Sequence, residues 1–240
     1  MEMWLLHSRG ERMKIYWTTS TINDLRAFYN ISEERFHTEK KKVRIAIIDN
    51  EQVGTMANNL RAAGYGDVTS MTKISAVEEI EKYDLILIDI KGIGGKCIQG
   101  SKSEVLEGLA VAEEIKRQYP DKKVIVFSAM LQEYEYNYIL HGIVDAFFVK
   151  DEAISERNKK IDECIRQRID PFYLWNRHRQ VLLEQGVSIF DVAKLEDKIV
   201  NAIKKKRTLP IDDIENIIGG AVAIAKLVNT IADIVKLALQ

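Results

Sequence analysis

The sequence predicts an α/β fold, a five-stranded parallel doubly wound sheet, joined to an all-α C-terminal region. Three observations carry this. Five short apolar runs lie between residues 43 and 149, each separated from the next by a helix-sized segment. The runs are continuously apolar rather than alternating, the pattern of parallel strands buried on both faces. Beyond residue 150 the β-branched runs stop and only helical spacing remains.

The first 42 residues read as an N-terminal extension. IYWTT (15–19) predicts a short strand, and Ser20 or Thr21 caps a helix reaching to Tyr29, with Asp24 near its positive end. The basic run Lys40, Lys41, Lys42 leads into VRIAII (43–48), a strand that ends at Asp49. TMANNLRAA (55–63) has helical spacing and stops at Gly64, a C-terminal signal. DVTSM (67–71) is the second strand and ISAVEEIEK (74–82) the second helix. DLILI (84–88) is a strongly apolar strand ending at Asp89, followed by a glycine-rich loop over 91–102. A helix over 105–119 stops before Pro120, the strand KVIVF (123–127) ends at Ser128, a fourth helix covers 132–140, and the strand DAFFV (145–149) ends at Lys150. Right-handed crossovers and five strands favour the flavodoxin-like order 2-1-3-4-5.

The tail reads as helices over 152–168, 172–183 and 188–206, the last capped by Ser188 or Asp191, with a restart at Pro210. In the final apolar stretch, 211–240, the polar positions Lys226, Asn229, Thr230, Asp233 and Lys236 share one helical face. That face suits a small bundle, a dimerisation helix, or docking to a partner or a membrane surface. The expected domains are therefore an extension (1–42), an α/β domain (43–152) and a helical interaction region (153–240).

Composition excludes several classes. A formal net charge of −1 argues against a chain built wholly for nucleic acid or membrane. There is no run of about 18 uncharged apolar residues, so no spanning helix is expected. No signal peptide is visible, and Cys97 and Cys164 have no metal-ligand spacing, so they read as reduced thiols in a cytoplasmic protein. Residues 156–207 hold 13 Lys/Arg against 8 Asp/Glu, including 204–207 and the triplet Arg177, His178, Arg179. SIFDVAKL (188–195) matches the opening of a helix-turn-helix, but EDKIV (196–200) continues the helix where that motif needs a tight turn. Nucleic-acid binding is therefore not expected, and the charges read as a solvated face. His178 reads as a surface histidine and Trp175 as a core or interdomain anchor.

The chemistry lies at the C-terminal ends of the strands, where ligands bind in open α/β sheets. Asp49 and Asn50 follow the first strand, Asp89 the third, Ser128 the fourth and Lys150 the fifth. The segments IIDNE (47–51), DLILIDI (84–90), VFSA (126–129) and FFVK (147–150) resemble the receiver domain of two-component response regulators, such as the bacterial chemotaxis receiver. The resemblance covers roughly residues 43–150. It implies that Asp89 is phosphorylated by a histidine kinase. Mg²⁺ would then be held by Asp49, Asp89 and the backbone carbonyl of Lys91. It also implies that Ser128 and Lys150 contact the phosphoryl group and that Phe147 is a switch aromatic. Mg²⁺ needs only one or two carboxylates, a lysine and a hydroxyl stabilise the transferring group, and the added charge is the input.

The sequence departs from the family pattern in three places. The usual acid pair is Asp49–Asn50, which removes one charge, with Glu51 next to it. The loop 91–102 is long and rich in glycine, yet it lacks the GxxxxGK[ST] spacing of a nucleotide loop. Asp151 stands where a proline is usual. The expected function is a response regulator-like signalling protein, not an enzyme beyond its own phosphorylation and dephosphorylation, acting on a protein partner through its helical region. Two readings compete with it: a pseudo-receiver serving as scaffold or decoy subunit, and a DNA-binding transcription regulator.

Overall fold

The computed structural model describes residues 3–6, 12–15, 21–26, 29–50, 54–90, 107–129, 144–218 and 225–239. The expected helix over 132–140 and the glycine-rich loop 91–102 lie outside them, as do Cys97, Glu51 and Lys91. Contacts divide the chain into two compact units, residues 31–169 and residues 1–30 together with 170–240.

The first unit is built on β3 (Arg44–Ile48), β4 (Asp67–Met71), β5 (Leu85–Asp89), β6 (Lys123–Ser128) and β7 (Ala146–Val149), all parallel, in the order β4-β3-β5-β6-β7. Counted within the sheet this is 2-1-3-4-5. Successive side chains on a strand point to opposite faces, and both faces are covered. Ile45, Ile47, Leu85, Leu87, Ile125, Phe127 and Phe148 pack against α2 (Glu33–Lys42), α3 (Gly54–Ala62) and α5 (Ile154–Ile169). Ala46, Ile48, Ile86, Ile88, Val124, Val126 and Phe147 face α4 (Glu107–Gln118) and a short 3₁₀ turn, Val77–Ile80.

That turn corrects the helix expected over 74–82. Ile74, Val77, Ile80 and Tyr83 are all buried and fall at strict three-residue intervals, which match the three residues per turn of a 3₁₀ helix and drift off the face of an α-helix. The Glu79 carboxylate accepts the Ser75 and Ala76 N–H groups at 2.8 and 3.1 Å, closing the start of the turn. The helix over 54–62 ends as expected at Gly64, which takes φ +84° while Tyr65 N–H reaches back to the Leu60 carbonyl.

The unit boundaries differ from those expected at 42/43 and 152/153. Helix α2 was not foreseen in the extension. Its Ser32 hydroxyl accepts the Arg35 N–H. It is held to the α/β unit by the buried Phe36, by Lys40–Asp162 at 3.1 Å and by Arg166–Glu33 at 2.9 Å. Helix α5 buries Ile161, Cys164, Ile165 and Ile169.

The second unit combines an antiparallel hairpin, β1 (Met3–Leu6) and β2 (Arg12–Ile15), with helices α1 (Ile22–Arg26), α6 (Pro171–Glu184), α7 (Ile189–Lys204), α8 (Ile211–Ile218) and α9 (Ala225–Ala238). The strand expected at 15–19 is described only at Ile15, the last residue of β2. Ile22, Leu25 and Tyr29 join the core formed by Trp175, Leu195, Ile199, Ile214, Ile231 and Val235. Tyr29 meets Phe172 edge-on at 5.0 Å. Trp175 is fully buried and donates its indole N–H to Glu196 at 3.0 Å, an anchor as expected. His178 corrects its expectation: it is 2% exposed, with Nδ1 2.7 Å from the Leu174 carbonyl oxygen. The position three after Trp175 lies on the same helical face, which the charged neighbours Arg177 and Arg179 obscure in the sequence. Helix α7 runs unbroken from its Ser188 cap, so the tight turn of a helix-turn-helix is absent there. Lys204, Lys205, Lys206 and Arg207 are exposed. Among the described residues no helix is long and apolar enough to cross a membrane.

Candidate site at the carboxyl edge of the sheet

The register of the ladder brings the expected residues to one edge. Asp89 ends β5 opposite Phe127, and Ser128 ends β6 opposite Val149, one residue before Lys150. Asp49 follows β3 directly, its N–H bonded to the Met71 carbonyl at 3.0 Å. Lys150 N–H bonds the Ser128 carbonyl at 3.0 Å, which ties the ends of β6 and β7 together.

The side chains converge on Lys150. Its ammonium lies 3.0 Å from Asp89 Oδ2 and 3.1 Å from Asp49 Oδ2. The second Asp89 oxygen accepts the Ile90 N–H at 2.8 Å. Both aspartates and Ser128 are buried, at 3%, 5% and 6% exposure for Asp49, Asp89 and Ser128. The ring of Phe127 lies 5.7 Å from the Lys150 ammonium, within cation–π range. Burial pushes the Asp89 carboxyl above its ordinary range. The Lys150 hydrogen bond and charge oppose that shift, and the Asp49 charge adds to it. The result is a carboxyl group that is more basic than usual and paired with the Lys150 ammonium.

The donor set suits a hard divalent cation in kind: two buried carboxylates, the number Mg²⁺ uses. Among the described residues no group of three or more His, Cys, Asp or Glu side chains is arranged to hold a metal. Asn50 is exposed, and the Lys91 carbonyl lies outside the described residues. Phe147, the expected switch, is 2% exposed and packs in the core beside α4.

One contributor went unremarked in the sequence. Gly108, in the first turn of α4, donates its N–H to the Ile90 carbonyl at 2.9 Å, and a Cβ there would overlap the Asp89 carbonyl oxygen. Helix α4 therefore rests directly on the backbone of the Asp89–Ile90 peptide. A glycine one residue into a helical pattern is the signal that marks such an approach.

No protein-family model and no curated protein matches the chain. Among solved structures it is similar to a CheY-like response regulator receiver domain protein from Methanospirillum hungatei JF-1, at 21% identity and a TM-score of 0.42 over 52% of this chain and 95% of that one. It is similar to the response regulator protein TrrA from Thermotoga maritima in complex with Mg²⁺-BeF, at 24% identity and a TM-score of 0.39 over 51% and 98%. It is also similar to a putative pilus assembly-related protein from Burkholderia pseudomallei K96243, at 12% identity and a TM-score of 0.43 over 53% and 92%. Each of these likenesses covers about half of this chain, and the C-terminal part of the remainder is helical.

Proposed function

We propose that the chain is a receiver-type signalling protein in which Asp89 accepts a phosphoryl group from the phosphohistidine of a histidine kinase. The helical region then relays that state to a protein partner in the cytoplasm. The observation that carries the reading is the ammonium of Lys150 held between two buried carboxylates at the carboxyl edge of the sheet, where the buried Ser128 ends the neighbouring strand.

In the transfer, an Asp89 oxygen attacks phosphorus. The P–O bond forms as the P–N bond of the donor breaks, and the departing imidazole nitrogen takes up a proton. Asp49 and Asp89 would hold Mg²⁺, with Asn50 and the Lys91 carbonyl as further oxygens, and the ion would supply charge neutralisation for the incoming phosphoryl oxygens. Lys150 lies within 3.1 Å of both carboxylates and is placed to shift from them to the new phosphoryl oxygens. Ser128 donates its hydroxyl to the same group. A hydroxyl drawn toward the phosphoryl group leaves room for the buried Phe147 to change rotamer, and that repacking is the switch. No enzymatic turnover beyond gain and loss of this group is assigned.

Intact mass after incubation with Mg²⁺ and acetyl phosphate tests the reading. The expected result is one phosphoryl adduct on the parent chain and none on Asp89→Asn. An adduct persisting in Asp89→Asn contradicts the assignment. No adduct with either donor, acetyl phosphate or phosphorylated kinase, turns the weight to the pseudo-receiver reading, in which Asp89→Asn leaves partner binding unchanged.

A further inference from the structure

We propose that Gly108 is a positioning residue for phosphoryl transfer: its bare Cα lets the start of α4 lie against the Asp89–Ile90 peptide, and that contact fixes the rotation of the acceptor carboxylate, an inference that rests on Asp89 being the phosphoacceptor. The backbone beside the acceptor is held from both sides. On one side, a Cβ at Gly108 would overlap the Asp89 carbonyl oxygen and lie 2.8 Å from the Ile90 Cα, so no larger residue fits without moving this backbone. The Gly108 N–H also donates to the Ile90 carbonyl at 2.9 Å. On the other side, the Ile90 N–H donates to Asp89 Oδ1 at 2.8 Å.

A trans peptide is planar, with its C=O and N–H pointing to opposite sides. Turning the Asp89 carbonyl away from α4 therefore turns the Ile90 N–H away from Oδ1. While that bond holds, Oδ1 is committed to the backbone and Oδ2 faces the Lys150 ammonium at 3.0 Å. Oδ2 is then the oxygen that Lys150 uncovers when it moves to the phosphoryl oxygens. Without the bond, the carboxylate is left to the broad, roughly two-fold torsion of an sp³–sp² bond, and its two oxygens exchange places. Alignment of this kind carries large factors in rate, and a misplacement of about 1 Å can cost about a hundredfold. The helix does not simply withdraw from an added Cβ. Ile90, Leu109, Val111 and Ala112 are buried in one core with Ile86 and Ile88 of β5. The start of α4 is thus seated, and the overlap is relieved by rotation of the peptide.

Gly108→Ala tests this in the full chain. Adduct formation from acetyl phosphate and Mg²⁺ is followed by intact mass, folding by thermal unfolding, and the Ile90 amide proton by NMR. The initial rate is expected to fall about tenfold or more, and the Ile90 amide signal to move upfield as its carboxylate acceptor is lost. Leu109→Ala is the control: it opens a cavity in the same turn and leaves Gly108 against the peptide. It is expected to lower the melting temperature and to keep the parent's rate and Ile90 signal. A parent rate or an unmoved Ile90 signal in Gly108→Ala overturns the positioning role, as does an equal slowing in Leu109→Ala. If Gly108→Ala does not fold, an ester in place of the 107–108 peptide bond removes the Gly108 N–H and adds no Cβ. A slower adduct with a shifted Ile90 signal is expected there, and parent behaviour overturns the role. If the parent itself takes no adduct, the reading of Asp89 fails separately, and the Ile90 signal alone decides the hold on the carboxylate: movement in Gly108→Ala supports it, and no movement overturns it.

Discussion

Asp89 and Asp145 are both buried aspartates facing lysines, yet their carboxyls shift in opposite directions. At Asp145, burial alone would raise the pKa, but Lys116 and Lys123 outweigh it and hold it below the ordinary range. At Asp89 burial prevails over the one lysine, which Asp49 shares. The signs have consequences for stability. Asp145 supports the fold above the unfolded carboxylate range, and that support is lost as pH falls through its lowered pKa. The contribution of Asp89 is present below the unfolded pKa and is lost as pH rises through the raised one. At neutral pH its charge therefore works against the fold. Asp89→Asn is expected to raise the melting temperature by a few degrees at pH 7 and to lose that advantage near pH 4, measured by thermal unfolding across pH. At this scale the sequence shows the four polar residues, because each directly follows an apolar run. It does not show that Lys150 bridges two acids, since that depends on distances between β3, β5 and β7. His178 misleads for the reverse reason: it is buried on the face of α6 that carries Trp175, about which its charged neighbours Arg177 and Arg179 say nothing.

Elements were legible where local chemistry and tertiary burial agree. Strands β3, β5 and β6 are buried on both faces and announce themselves as apolar runs, whereas β4, DVTSM at the sheet edge, buries only Val68 and is legible from its place between the turn at Gly64 and the next segment. Helix α7 carries its own start in Ser188, whose hydroxyl accepts the Asp191 N–H at 3.1 Å. Its end is less well written. Lys206 takes φ +49° while Arg207 N–H returns to the Ala202 carbonyl, a termination that normally uses glycine. Lys206→Gly is expected to stabilise the chain by about 1 kcal/mol in chemical denaturation, since it removes the left-handed strain of a residue with a Cβ. A loss of stability there would mean that the Lys206 side chain contributes contacts beyond its exposed position. The segment 74–82 was misread because apolar spacing of three and of three-to-four look alike over two turns. Helix α2 was missed because its charged sequence, EERFHTEKKK, has one buried aromatic and owes its place to the sheet and to α5 rather than to its own periodicity.

For the molecule as a whole, the two ends of the chain belong to one unit and the α/β unit lies between them in sequence. Sequence reading placed the break after the fifth strand because β-runs stop there, whereas burial of α5 against the sheet moves it to residue 169. The contribution of Ile22, Leu25 and Tyr29 to the helical core is a long-range fact that no local pattern encodes. Ile22→Ala is expected to cost about 2–5 kcal/mol. The loss should appear as faster hydrogen exchange in α6 and α7, with β5 and β6 protected as in the parent. Equal loss in both would show that the units unfold together. The central claim, that this arrangement is a phosphorylation-driven receiver, is tested most directly by locating the phosphoryl group. Borohydride reduction after phosphorylation by acetyl phosphate or a histidine kinase converts an aspartyl phosphate to homoserine. Peptide mass spectrometry then reads the position. Homoserine at residue 89 and at no other aspartate is the expected result; homoserine elsewhere, with Asp89 intact, would contradict it.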